Sequence, residues 1–329
     1  MKVIAYAVRA DEMKAFHQYA KELDIQVTFV AQRLTIENVH LAQGHDGVSI
    51  LGYCDVNIDV LSKLKEMGIH FLASRSTGYD NIDLNAAKEL GVSISNARYS
   101  PNSVAEFALM LILMVNRKVG EAFKRNHVNN FSLKNLQGFE LRNQTVGILG
   151  TGRIGATLAK NLTGFGCKIL AYDECVNTSL EDIVDYVDLD TLLNTSDVIS
   201  LHLPLNDKNF HFMNESRFKI MKNNAIIINT ARGELIDTKD LIQALKNNDI
   251  GGAGLDVLEG EFGKFHHDLQ STLFDWDDYT TLKQIDNVII TNHFAFYTDQ
   301  AVSDMVECSL ISLSKFNHEL DNPWIIQSR

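Results

Sequence analysis

Three apolar runs in the second half of the chain each deliver a side chain that can do chemistry. AIIINT is followed by Ala231-Arg232-Gly233, GAGLDVL by Glu259-Gly260-Glu261, and NVIIT by Asn292-His293. Each run is short, rich in aliphatic residues and bounded by turn residues, so each reads as a buried strand. In an open parallel sheet, ligands bind beyond the carboxyl ends of the strands, so Arg232, Glu261 and His293 are expected to gather on one edge. Arginine offers a planar fork of donors that grips a carboxylate bidentately and polarises an adjacent carbonyl. Histidine titrates near neutrality and suits proton donation to a carbonyl oxygen. A glutamate beside that imidazole orients it and stabilises its charged form. Taken singly, each also has an ordinary use, as a helix cap, a solvated surface charge or a satisfied polar group. Taken together, and given a cofactor that carries hydride, they suffice to reduce a 2-oxo acid.

The carrier is announced by Gly150-Thr151-Gly152-Arg153-Ile154-Gly155, which follows the apolar run TVGIL and opens a helical pattern. In that setting Gly150 permits the tight turn, Gly152 lets the backbone approach a pyrophosphate, and Gly155 lets helix and strand pack closely. The helix N-terminus then faces the anion. Asp173, at the end of the next strand KILAYD, is placed to bond the adenosine ribose hydroxyls and to repel a 2'-phosphate, which favours NAD over NADP. Methyltransferases also hold an adenosyl ligand after a Gly-rich turn, so the loop alone establishes a nucleotide and not a reaction.

Two series of elements must position these groups. The first hundred residues alternate the strand candidates KVIAYAV, IQVTFVA, GVSIL, IHFLAS and VSISNA with amphipathic stretches such as EMKAFHQYAKEL. After Pro101 a long helix is expected over 102–118, followed by QTVGILG, KILAYD, VISLHL, AIIINT, GAGLDVL and NVIIT. The expected fold is α/β, with two Rossmann-like or flavodoxin-like parallel-sheet domains and a cleft between them. A last helix, over about 298–319, returns to the first domain. The expected domains are thus 1–100 with 299–329, a discontinuous catalytic unit, and 101–298, which binds NAD. The stretch 260–286 reads as one long irregular loop of the kind that flanks active sites. No internal repeat or low-complexity tract interrupts the pattern.

Composition narrows the partners. A chain of 329 residues with 45% hydrophobic residues is large enough for two cores. A net charge of −12 argues against nucleic acid and anionic membranes, so an anionic substrate must meet a local arginine. The start MKVIAYAVRADE is a poor signal peptide, and FALMLILMV is too short to span a bilayer. The four cysteines lack metal-knuckle or disulfide-framework spacing, which fits a cytoplasmic location. His266 and His267 are adjacent, lack the spacing of a helical metal pair, and no metal is required. The apolar 102–118 helix is a candidate surface for a homodimer.

The ordered segments SRSTGYDNID, RYSPNSVAEFAL, GILGTGRIG, INTARGELIDT, GGAGLDVLEGE and NHFAFYT resemble the D-isomer-specific 2-hydroxyacid dehydrogenases over nearly the whole chain, especially their D-lactate dehydrogenase branch. The resemblance places the family's catalytic residues on Arg232, Glu261 and His293. It implies cofactor contacts from Arg153, Ile154, Asp173, Leu203, Pro204, Asn209, Thr230, Ala231 and Asp256. It implies substrate contacts from Thr77, Gly78, Tyr99, Phe296 and Tyr297 together with Arg232. Pyruvate is the first expected substrate, with phenylpyruvate, a branched-chain 2-oxo acid or 2-oxoglutarate as alternatives. An NAD-sensing corepressor is the alternative class. Asn292 stands where the family usually has proline, adding a backbone N–H that proline lacks and loosening the turn that aims His293. Arg98 replaces the commoner alanine beside Tyr99 and is expected to face solvent.

Overall fold

The structure is a computed structural model that describes residues 1–326; residues 327–329, the end of the expected first domain, lie outside the described residues. It separates into two compact units, Met1–Ser100 with the chain from Tyr297 onward, and Pro101–Phe296.

The first unit is built on β1 (Lys2–Ala5), β2 (Gln26–Phe29), β3 (Gly47–Ile50), β4 (Phe71–Ser74) and β5 (Ser93–Ser95). These five strands run parallel in the order β5-β4-β3-β1-β2, the flavodoxin-like arrangement. The second unit carries β6 (Thr145–Leu149), β7 (Lys168–Tyr172), β8 (Asp185–Tyr186), β9 (Val198–Leu201), β10 (Ile226–Asn229), β11 (Gly252–Leu255) and β12 (Val288–Ile290). All seven are parallel, in the order β12-β11-β10-β9-β6-β7-β8, so the direction of winding reverses between β6 and β9. That reversal is where an open sheet of this type leaves a ligand crevice. A short strand absent from the sequence reading, β13 (Ile325–Ile326), adds antiparallel to β5 at the edge of the first sheet.

Burial on both faces explains why the strands read as nearly continuous apolar runs. In β10, Ile226 and Ile228 enter one core with Val146, Ile148 and Val198, while Ile227 enters the opposite core with Leu149, Ile199 and Leu201. A slip of one residue would exchange the two cores, so register is strongly specified.

The helix expected over 102–118 spans Asn102–Asn116, and Lys118, at φ 53°, turns the chain into a further helix, Val119–Asn126. Its Ala105, Ala108, Leu111, Ile112 and Val115 join the core of its own unit beneath β10 and β11. Much of the apolar surface set aside for a dimer is therefore already covered. Some strongly exposed apolar side chains follow it in the chain, where Phe131 is 74% and Leu133 is 85% exposed. The 260–286 stretch is not wholly irregular. Asp277–Gln284 forms a helix with Asp277 and Asp278 in its first turn, where carboxylates complement the helix dipole. Only Leu282 on it is buried, which left almost no apolar periodicity to read. Among the described residues no helix is long and apolar enough to cross a membrane.

The first unit is tied at its centre by a fully buried ion pair, Arg75 Nε to Glu12 Oε1 at 2.8 Å. The guanidinium also donates to Ser49 Oγ and to the Tyr6 carbonyl, both at 2.9 Å, linking β3, β4 and the segment after β1. Removing one partner strands the other charge in the core. Arg75→Met is expected to destabilise the protein by about 3–5 kcal/mol, read as a lower urea midpoint; an unchanged midpoint would contradict this account.

Candidate active site

The Gly-rich turn lies at the winding reversal, between the end of β6 and the helix Arg153–Leu162. Gly150 has φ 95°, and a Cβ there would stand 2.7 Å from the His202 carbonyl oxygen. A Cβ on Gly155 would collide with the Gly150 carbonyl, so this glycine sets the helix against the strand. Gly152 differs: a Cβ would meet nothing within 4 Å, and its φ is an ordinary −63°. The protein itself does not require glycine at that point, whereas an anion approaching the backbone does. Arg153 is exposed beside it and Ile154 is half-buried.

Asp173 follows β7 and accepts from Thr151 N–H at 2.6 Å and from Thr151 Oγ1 at 3.1 Å, tying the acid to the Gly-rich turn. Beyond β9, Leu203 is packed on the core, and Asn209 accepts from Asn206 N–H at 2.7 Å, holding the loop that contains Pro204. Beyond β10, Asn229 Oδ1 accepts from Ala231 N–H at 3.0 Å. Thr230 Oγ1 is buried with no hydrogen-bond partner among the described residues, which fits a polar group supplied by a bound cofactor.

Arg232, Glu261 and His293 follow β10, β11 and β12, three neighbouring strands. Gly233 is necessary to that arrangement, because a Cβ there would overlap the backbone between Leu258 and Glu259. Arg232 Nη1 donates to the Ala231 carbonyl at 2.7 Å, while its own carbonyl accepts from Asn229 Nδ2 at 2.7 Å. His293 Nδ1 and Glu261 Oε1 form a short hydrogen-bonded ion pair, and Glu261 Oε2 accepts from Leu258 N–H at 2.7 Å. The glutamate is thus fixed at one oxygen and holds the imidazole with the other.

His293 has φ 55°, a left-handed conformation unusual for a residue with a Cβ. Asp256, 1% exposed, secures it: its carbonyl accepts from His293 N–H at 2.7 Å. Its carboxylate accepts from Thr291 Oγ1 at 2.6 Å, Phe294 N–H at 3.1 Å and Ala295 N–H at 2.9 Å. This clamp keeps the turn in place although Asn292 stands in the proline position. The family resemblance implies only a cofactor contact for Asp256. An acid at a strand end was its one signal, and the donors lie more than thirty residues downstream. Phe296 brings its ring to 6.5 Å from that of His293.

In the first unit, Thr77 Oγ1 donates to the Ala97 carbonyl at 3.1 Å and Asn96 Nδ2 donates to the Thr77 carbonyl at 2.7 Å. Ser76 Oγ donates to the Gly78 carbonyl at 2.7 Å. These bonds fix the turn after β4 to the segment that leads to half-buried Tyr99, beside exposed Arg98. Tyr297 belongs to this unit, exposed, with the Arg9 guanidinium 5.2 Å from its ring centre.

The family model for "D-isomer specific 2-hydroxyacid dehydrogenase, NAD binding domain" matches residues 109–295. An aromatic 2-oxoacid reductase of Clostridium sporogenes is 43% identical over 318 residues, covering 96% of each chain. A D-lactate dehydrogenase of Escherichia coli is 39% identical over 316 residues, covering 95% of this chain and 96% of the relative. Among solved structures, D-2-hydroxyisocaproate dehydrogenase superposes with a TM-score of 0.91 at 36% identity, covering 100% of both chains.

The charges around His293 act in opposite directions. Burial disfavours its protonated form, but the bond to Glu261 and the nearby negative charges of Glu261 and Asp256 outweigh this, leaving the pKa above the ordinary imidazole value. Arg232 pushes it the other way. Because the folded-state pKa is raised, the pair's contribution to stability is full below the ordinary value and is lost as pH rises through the folded one. Glu261→Gln is expected to move the His293 pKa downward in an imidazole proton NMR titration; an unchanged or higher value would show that Glu261 does not carry the charge stabilisation.

Proposed function

The chain belongs to the D-isomer-specific 2-hydroxyacid dehydrogenase family, and from that premise we propose that it reduces pyruvate to D-lactate with NADH. The family makes it an NAD-dependent oxidoreductase of the CH–OH group in 2-hydroxy acids. The observation that carries the reading is the His293–Glu261 pair at the end of two adjoining strands, with Arg232 close enough to influence its charge.

When bound, the nicotinamide supplies the hydride. Arg232 grips the substrate carboxylate with its planar fork and draws electrons from the neighbouring carbonyl. Glu261 occupies Nδ1 of His293, so Nε2 is the atom that gives its proton to the carbonyl oxygen as it becomes an alcohol. Gly150, Gly152, Arg153, Ile154 and Gly155 would hold the cofactor's pyrophosphate region, and Asp173 its adenosine ribose. Leu203, Pro204, Asn209, Thr230, Ala231 and Asp256 complete the cofactor contacts. Thr77, Gly78, Tyr99 and Tyr297 in the first unit, and Phe296 in the second, are the further substrate contacts that the family resemblance implies.

A second reading is the same chemistry on a larger 2-oxo acid, such as an aromatic one. It is favoured by the 43% identity to the Clostridium sporogenes aromatic 2-oxoacid reductase and by the Phe296 ring beside His293. The protein works as a homodimer in the cytoplasm, the exposed apolar side chains after the Asn102–Asn116 helix contributing to the contact. The four free cysteines accord with that compartment.

The test is kcat/KM across a panel of 2-oxo acids with chiral analysis of each product. D-Lactate from pyruvate at the highest kcat/KM is the expected result. A higher value for phenylpyruvate selects the second reading, and NADH binding without turnover of any acid would overturn both in favour of an NAD-sensing protein. Arg232→Lys is expected to lower kcat/KM roughly 10- to 100-fold, because an ammonium cannot reproduce two charge-assisted bonds from one plane. Unchanged kinetics in that variant would remove Arg232 from the mechanism.

A further inference from the structure

We propose that His266 is a positioning residue for His293, an inference that rests on the dehydrogenase reading above. Its Nε2 lies 2.8 Å from the His293 carbonyl oxygen. A carbonyl only accepts, so His266 carries its proton on Nε2 and donates it there. The rings stand 5.8 Å apart, and the His266 ring is 6.3 Å from that of Phe296.

The way the loop brings His266 there supports the assignment. The Glu261 carbonyl accepts from Lys264 N–H at 2.9 Å and from Phe265 N–H at 3.1 Å, closing a turn that begins on Glu261 itself. Phe265 then packs 5.4 Å from Trp276, which is stacked on Tyr279, and this aromatic group anchors the turn on the core. At φ 66° the next residue, His266, departs from the regular course of the chain. One short loop therefore holds His293 twice, Glu261 at the imidazole and His266 at the peptide carbonyl. Asp256 meanwhile holds the peptide N–H. With φ at 55°, His293 can relax by rotating its adjoining peptide, which would swing the imidazole away; the bond to its carbonyl opposes that rotation.

The test compares His266→Phe, which keeps a ring but loses the donor, with His266→Gln, which keeps a donor. Both pay the same left-handed backbone penalty, so their difference reports the hydrogen bond. In His266→Phe, kcat is expected to fall about three- to tenfold, the range that one hydrogen bond is worth. His266→Gln should stay within about twofold, and the Kd for NADH should be unchanged in both. The His293 Nδ1–H proton, assigned by its loss in His293→Gln, should broaden in the Phe variant and persist in the Gln variant. Equal behaviour of the two variants in this signal, whether both intact or both broadened, overturns the proposal. If the parent protein turns over no 2-oxo acid, the dehydrogenase reading fails by itself, and the NMR comparison still decides whether His266 holds His293.

Discussion

His293 occupies a backbone conformation that residues with a Cβ enter at a cost of about 1–3 kcal/mol, and the geometry of the site depends on what holds it there. Asp256 does most of that work. One residue at the end of β11 accepts four hydrogen bonds from the loop after β12: one at its carbonyl and three at its carboxylate. Hydrogen bonds to a charged group contribute about 1.5–3 kcal/mol each, so three of them outweigh the backbone cost. The same carboxylate helps to keep the imidazole protonated, so the device that fixes the turn also tunes its chemistry.

The sheet sets the scale of the site. Neighbouring strands lie about 4.8 Å apart, so groups placed after β10, β11 and β12 converge on a span of roughly 10 Å, suited to a small acid. That convergence also needs loops that pass one another closely, which Gly233 allows beside Leu258 and Glu259. The winding reversal between β6 and β9 puts the Gly-rich turn in the crevice where a dinucleotide is expected.

Most of this scaffold is legible in the sequence because burial on both faces makes each central strand a short apolar run and because Gly and Pro mark the boundaries. The elements missed are those with little burial to announce them. β13 has only two residues among those described, and the Asp277–Gln284 helix buries one side chain. The trio is legible because each member lies in the segment that follows a strand, Arg232 and His293 close to its end and Glu261 a few residues further on. The clamp is not, since Asp256 finds its partners far along the chain, and a strand-end acid does not name its donors. Arg75 illustrates the same limit: it sits inside a motif read for its turn, yet its partner Glu12 lies 63 positions away.

Arg232 has a second consequence under the proposed reading. Its positive charge works against protonation of His293. A substrate carboxylate gripped by the guanidinium cancels most of that charge, and the influence of Glu261 and Asp256 is then less opposed. Binding of the 2-oxo acid therefore raises the proton affinity of His293, and by linkage the protonated enzyme binds the acid more tightly. The alcohol product carries the same carboxylate, but after proton transfer the imidazole is neutral and that extra attraction is gone. One arginine thus couples recognition of the acid to readiness of the proton donor, through charge alone and without requiring any movement of the chain.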